Sequence, residues 1–478
     1  MVAGVMPVAI RTARRRSAVL ALVAASLAVS CSSAPDEGAD ATGGTDASGE
    51  RPTSELPAPN QATSSIAVPP TPATSAATAT SSSTVAPEPT VSARSTDPIT
   101  DADEPQEVPA GSDLYTVPDP IPDGAHGTLL RYQEVTPSVH AKSRTWRMMY
   151  LSESLAGDPI VVTGLAVVPQ TPAPPGGRNI VTLTHGTTGS ADRCAPSMAP
   201  GSAGELLLLG PSVVSGSIIA ATDYEGMGTP GAHPYLVGVS EGRSGLDAAL
   251  AARHLPDAEA GSQLGVMGYS QGGHSAMWTA QLTAEWAPEL DLVGTFAGAP
   301  PTEISTIVGV AFPGGSSSFI YLLVAGYAEA YGDDADPATF FTPAGLRDLD
   351  LADELCVGEL FGALTDVTAD AYLPGAGSEP PWTELASEND AGTTAVDAPL
   401  LIIHSAVDDT VPAVLSEIAF DRLCRLGQVV ERRVPPEGTH AGAAPPAYAE
   451  AQSWMQARFG GAGPDAISNC PDGAGFVS

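Results

Sequence analysis

The segment Val266–Trp278, VMGYSQGGHSAMW, sets Ser270 between Gly268 and Gly272. A serine hydroxyl attacks a carbonyl only when a base takes its proton and a third group orients that base. Ser270 follows the apolar run Gln263–Met267 and precedes a helix-like stretch. It therefore stands on a strand–turn–helix corner, where flanking glycines let strand and helix close around a strained serine. The start of the helix also offers unpaired N–H groups where negative charge would develop. The same five-residue pattern recurs at Gly238–Gly242, GVSEG, within a Gly- and Pro-rich loop. Glu241 would oppose an oxyanion there, so Ser240 is read as the decoy.

The chain beyond Ser270 supplies the partners. PLLIIHSAVDDTVP is an apolar strand whose following turn carries Asp408 and Asp409, and loops at the carboxyl ends of such strands hold the sites of α/β sheets. Asp408, four residues before Pro412, is the expected orienting acid, with Asp409 the alternative. VVERRVPPEGTHAGAAP then puts His440 in a Gly-flanked loop between the last strand and the final helix. The order serine, acid, histidine is that of α/β-hydrolases. Of the other histidines, His126 and His140 precede the sheet proper, and His254 ends a helix. His274 packs against or fixes the serine corner, His404 is a core residue, and His233 has no assigned role. Two N–H donors are needed for an oxyanion. One is the backbone N–H of Gln271; the other is assigned to Thr187, with Thr188 the alternative, in the turn of NIVTLTHGTTG.

These residues need a sheet to position them. Strands are expected at Trp146–Leu151, Ile160–Val168, Ile180–Thr184, Ser217–Thr222, Gln263–Met267, Leu292–Ala297, Pro399–His404 and Gln428–Val434. Helices are expected at Gly245–His254, His274–Trp286 and Tyr448–Phe459. This alternation predicts an α/β class fold, a mostly parallel central sheet flanked by helices. From about 301 to 395 the strand signal fades into helical patterns, read as an inserted helical cap. Phe319, Ile320, Leu322, Leu323 and Val324 there are either helix core or the lining of an acyl pocket. GMGTPG, Gly226–Gly231, mimics a dinucleotide fingerprint, but Pro230 stops a helix from starting. It is read as shaping the rim of the site, and no metal or organic cofactor is called for.

The amino terminus has a different texture. Arg11 and Arg14–Arg16 precede an apolar run too short to span a bilayer, so residues 1–30 read as an export signal. The run closes on LAVSC, which resembles a bacterial lipobox and implies lipidation of Cys31; ordinary cleavage beside an incidental cysteine is the alternative. Residues 31–112 are rich in Ser, Thr, Pro and Ala and are expected to form a disordered tether, leaving 113–478 as the catalytic domain. A net charge of −35 argues against nucleic acid and against adhesion to anionic lipid, which leaves a membrane contact only through the anchor. Cys194, Cys356, Cys424 and Cys470 remain, enough for two disulfides with three pairings open.

Taken together, HGTTGSADRCAPS, ATDYEGMGTPGAHPYLVG, GYSQGGHSA, GAPPT, SAVDDTVP and GTHAG resemble the secretory lipase family, α/β-hydrolases that include the fungal lipase A type. The resemblance covers roughly Leu114 to Phe459. It implies hydrolysis of triacylglycerol or other carboxylic esters, with Ser270 as nucleophile, Asp408 as acid and His440 as base. It further implies that Cys194 pairs with Cys356 and Cys424 with Cys470. HGTTG departs from the fungal pattern, which carries an acidic residue in this loop. Two other readings stand beside ester hydrolysis: an acyltransferase or peptidase on the same scaffold, and a non-catalytic lipid-binding surface lipoprotein.

Overall fold

The computed structural model describes residues 104–310, 314–461 and 468–471. The expected signal segment, Cys31 and the tether as far as residue 103 lie outside them. Ten strands form one sheet in the order β1-β2-β3-β4-β6-β5-β7-β8-β9-β10. β1 (Gln106–Glu107), β2 (Leu129–Val135), β3 (Ser143–Glu153) and β4 (Pro159–Pro169) make up one wing, and β5 (Arg178–Thr184), β6 (Ile218–Thr222), β7 (Ala260–Tyr269), β8 (Asp291–Gly298), β9 (Leu400–Ile403) and β10 (Val430–Arg433) the other. The pairs β2–β3, β3–β4 and β4–β6 are antiparallel; the remaining ladders are parallel. This is the α/β-hydrolase arrangement. The eight expected strands are all present. β1 and β2 are additional, and β1 pairs with β2 ahead of the expected domain start at Asp113, with Val108 buried beside it.

Strand periodicity explains why both faces need covering. Along β4, Val162, Ala166 and Val168 belong to one cluster, and Leu165 and Val167 to another. Successive side chains point to opposite faces, so an apolar run offers core to both sides. The first face is covered by the helices Gly238–Ala252 and Gln271–Trp286, the second by Gly204–Leu208, Gly210–Val214 and His440–Phe459. Between β8 and β9 the chain makes the helical insertion expected there, with its own apolar core around Ile320, Tyr321, Leu323, Tyr327 and Trp382.

All three expected helices begin earlier than their sequence suggests, the middle one at Gln271 rather than His274 and the other two by seven and eight residues. Ser240 is not in a loop but in the first turn of Gly238–Ala252, fully buried, with its hydroxyl donating to Glu225 at 2.5 Å. The final helix starts at His440 rather than Tyr448 and runs through Pro445 and Pro446. Prolines this close to a helix start remove only the donors to the carbonyls of Ala441 and Gly442, and Thr439 caps the end by accepting from the Gly442 N–H at 3.2 Å.

A buried acid seats the helix that follows Ser270. Glu241 and His274 are both fully buried, 2.9 Å apart between Oε2 and Nδ1. Glu241 Oε1 accepts from Gln271 Nε2 at 2.8 Å and from the Leu236 N–H at 3.1 Å. His274 Nε2 reaches the Asn389 carbonyl at 2.8 Å, while Asn389 Oδ1 accepts from the Gly238 N–H and its amide donates to Tyr331 of the cap. One carboxylate thus ties two helices and, through Asn389, the insertion.

Two disulfides close the fold, Cys194–Cys356 and Cys424–Cys470, as the resemblance implied. The second brings Asn469 alongside β10, where it exchanges hydrogen bonds with Arg432 at 2.9 and 2.7 Å. Among the described residues no helix is long and apolar enough to cross a membrane.

Replacing Glu241 by Ala strands three donors in the interior at about 1–3 kcal/mol each. Urea unfolding is expected to show a loss of at least about 3 kcal/mol, and a clearly smaller loss for Glu241→Gln, which keeps an acceptor. The double variant Cys424→Ser/Cys470→Ser opens a loop with a sequence separation of 46 residues. Loop-closure entropy predicts a cost of about 4 kcal/mol in the same assay under oxidising conditions. A loss under about 1 kcal/mol would assign the edge to Asn469 instead.

Candidate active site

The carboxyl ends of β5, β7, β9 and β10 deliver one residue group each to a common rim. Ser270 follows β7 directly and has φ 60° and ψ −124°, a left-handed conformation that a non-glycine residue holds only under constraint. The constraint is visible on all sides. The Ser270 N–H donates to the Gly298 carbonyl at the end of β8 at 2.8 Å. A Cβ on Gly268 would stand 2.0 Å from the Gly272 carbonyl oxygen, and one on Gly272 would stand 2.0 Å from that of Thr184. Gly273 likewise has Gly298 O at 2.6 Å. The glycines around Ser270 are required because backbone, not side chain, fills the space.

His440 Nε2 lies 2.9 Å from Ser270 Oγ, and His440 Nδ1 lies 2.7 Å from Asp408 Oδ2. The side chain of Asp408 is fully buried and accepts from the Thr410 and Val411 N–H groups at 2.9 and 2.8 Å. His404 Nε2 stands 3.5 Å from the same Oδ2. Burial would raise the Asp408 carboxyl, but its hydrogen bonds to His404 and His440 outweigh that and hold it well below the usual carboxylate range. Asp409 has a different place: its Oδ1 accepts from the backbone N–H of His440 at 2.9 Å. With Tyr269 Oη donating to the His440 carbonyl at 2.8 Å, the start of the final helix is held from two sides. With Nδ1–H assigned to Asp408, the Nε2 of a neutral imidazole is free to accept from Ser270.

The turn after β5 carries Gly186, Thr187 and Thr188. All three line a cavity of about 650 Å³ that also receives Ser270 and His440. Thr187 Oγ1 exchanges a hydrogen bond with Tyr235 Oη at 2.8 Å, and Thr188 gives its carbonyl to the Val357 N–H at 2.9 Å. Gly189 bridges Cys356, so this turn is stitched to the insertion beside the Cys194–Cys356 bond.

The cavity runs between the sheet and the segment 193–206, past Leu165, Leu183, Ala199, Ala203, Leu206 and Ala221. Among the five cap residues considered for an acyl pocket, Phe319 alone lines it; Ile320, Leu322, Leu323 and Val324 are buried in the cap's own core. The expectation that Gly226–Gly231 forms the rim is also corrected. None of these residues lines the cavity, and a Cβ on Gly228 would meet Met198, Thr163 and Tyr115 at 3.4 Å.

Of four polar residues at or beneath this site, three have no role assigned from sequence and the fourth, Glu241, only that of opposing an oxyanion at Ser240. Glu205 lines the cavity and accepts from the Gly186 N–H at 2.7 Å. Glu241 and Asn389 seat the helix after Ser270, and Glu225 holds Ser240. His233, also without a role at first, is fully buried and donates from Nδ1 to the Glu225 carbonyl at 3.0 Å, leaving Nε2 to accept from Gln271 at 2.9 Å. Burial lowers its pKa to about 3, so it is neutral. A sequence signal existed for Glu205 alone, an acid inside the otherwise apolar GSAGELLLLG.

Comparison with known proteins agrees with this architecture. The sequence profile of the secretory lipase family matches residues 201–466. A secreted triacylglycerol lipase of Malassezia globosa is 25% identical over 353 residues, spanning 68% of this chain and 74% of that protein. A probable inactive lipase of Mycobacterium tuberculosis is 26% identical over 220 residues, 43% of this chain and 47% of that protein. Among solved structures, Candida antarctica lipase A in its closed state superposes with a TM-score of 0.65 at 19% identity, covering 76% of this chain and 88% of that one. The rice cell wall degrading esterase LipA of Xanthomonas oryzae gives 0.57 at 21% identity, covering 72% and 99%. Family and fold converge: the chain belongs to the secretory lipase family and is a hydrolase of the lipase and esterase class.

Proposed function

We propose that this chain is an exported serine carboxylic-ester hydrolase that cleaves acylglycerols or other lipid esters through an acyl-enzyme on Ser270. The observation that carries the reading is the unbroken hydrogen-bond chain from Ser270 Oγ through His440 to Asp408, at 2.9 and 2.7 Å. His440 Nε2 takes the serine proton as the oxygen attacks the ester carbonyl. Asp408, kept ionised by its hydrogen bonds, stabilises the imidazolium that results. The backbone N–H groups of Gln271 and Thr187 receive the oxyanion, and removing one such donor costs about 10²–10³ in rate. His440 then protonates the leaving alcohol and activates the water that frees the acid. The apolar cavity beside Ser270 suits an acyl chain, which favours lipid esters over peptide amides. Export rests on the signal-like residues 1–30, and surface attachment on lipidation of Cys31 through the tether 31–112.

The M. tuberculosis relative makes loss of turnover the reading to test against. A fluorophosphonate probe is expected to label the wild type and not Ser270→Ala; labelling that survives the substitution would overturn the assignment. Asp408→Asn is expected to lower turnover of p-nitrophenyl esters by about 10⁴ with the fold intact. Asp409→Asn, which still accepts the His440 N–H, is expected to cost far less, and the reverse ranking would exchange the two roles. Peptide amides are expected to remain uncut, and added alcohols to leave the yield of free acid unchanged. Cys31→Ser is expected to move the protein from the membrane pellet to the soluble fraction.

A further inference from the structure

Glu205 is a carboxyl that the proposed chemistry does not use, yet it stands at the reacting centre. The position a Cβ on Gly186 would occupy lies 3.2 Å from Glu205 Oε1 and 3.6 Å from Ser270 Cβ. Carboxyl and nucleophile therefore flank the same glycine, the first residue of the turn assigned to the oxyanion. Oε2 accepts from the Gly186 N–H at 2.7 Å, so that N–H is unavailable to substrate. Glu205 itself lines the cavity.

The groups around it give it no counter-charge. Tyr224, Tyr269 and Tyr448, from three separate parts of the chain, are all raised chiefly by burial, and each is raised further by the charge of Glu205. His185 across the turn is lowered by burial and neutral. His440, at the start of the final helix, faces Ser270 and Asp408. Arg193, the cation on the cavity wall, gives its guanidinium to Glu359 and to the Glu354 carbonyl. His140 binds the carbonyl of Leu206, in the helix that carries Glu205, at 2.9 Å. An anion held there among apolar walls is unfavourable, and the proton is retained instead.

We propose that Glu205 is a proton-dependent positioning residue for acyl transfer: neutral, it holds the oxyanion turn in place through Gly186; ionised, it sets a negative charge beside the developing oxyanion and stops turnover. The inference rests on Ser270 being the nucleophile. Burial, opposed only in part by the Gly186 N–H, raises the carboxyl to about 8. The sign follows: the active, neutral form predominates below pH 8 and is lost above it. A triad alone behaves differently, because its rate rises as the imidazole loses its proton and then stays level.

The test is the pH profile of kcat for a p-nitrophenyl ester from pH 6 to 10, with circular dichroism confirming the fold at each pH. Wild type is expected to fall from a plateau near neutrality to about one tenth of it one pH unit above the midpoint. Glu205→Gln keeps an acceptor for Gly186 and cannot ionise, so it is expected to lose the alkaline fall whatever the height of its neutral plateau. Glu205→Ala is expected to lose the fall as well, from a lower plateau, and decides the question if the Gln variant does not fold. An alkaline fall unchanged in either variant, or absent from the wild type, overturns the inference. Failure of the nucleophile assignment reads out separately, as ester hydrolysis that persists in Ser270→Ala.

Discussion

The left-handed backbone at Ser270 is the constraint on which the site is built. It persists because three backbones converge on the corner. The Gly298 carbonyl holds the Ser270 N–H, and Gly268 and Gly272 let the strand, the helix and the end of β5 meet without side chains between them. The contacts at 2.0 Å leave no room for even a methyl group. A strained residue survives only where its surroundings over-determine it. Here the surroundings are the sheet order itself, since β5, β7 and β8 are adjacent strands.

Carboxyl groups around this corner are sorted by the partners they meet. Asp408 gathers two backbone N–H groups and two imidazoles and stays ionised. Glu241 gathers a backbone N–H, an amide and an imidazole, and its hydrogen bonds set the helix that presents Gln271. Glu225 has one serine hydroxyl and is raised to about 7 by burial. Glu205 has one backbone N–H and is raised further. Burial acts on Asp408, Glu225 and Glu205 alike, and the donors each one meets decide which way it moves.

The insertion contributes less lining than its apolar content suggests. Its helix Ser318–Tyr331 spends its large side chains on its own core and offers Phe319 to the cavity. What the insertion supplies instead is attachment: Cys356 to Cys194, Gly189 bridged to Cys356, and Asn389 to His274. The cavity wall is built mainly by short turns after the β5 loop, whose small residues leave the space open.

Local sequence carried the strands, because their apolar runs are long and bounded by turn residues, and it carried Ser270, Asp408 and His440 as candidates, because their chain order and loop context are local patterns. Helix starts at Gly238 and His440 were not legible, since glycine and proline argue against helix locally and tertiary packing overrides that preference. The sequence also placed Glu241 as an obstacle to a decoy serine, when folding makes it the hub beneath the other. Only the tertiary structure decided which carboxyl touches which donor. Charge state depends on burial and on partners that arrive from distant parts of the chain; the apolar neighbours of Glu205 hint at its burial, but nothing near it in sequence announces Gly186 as its partner.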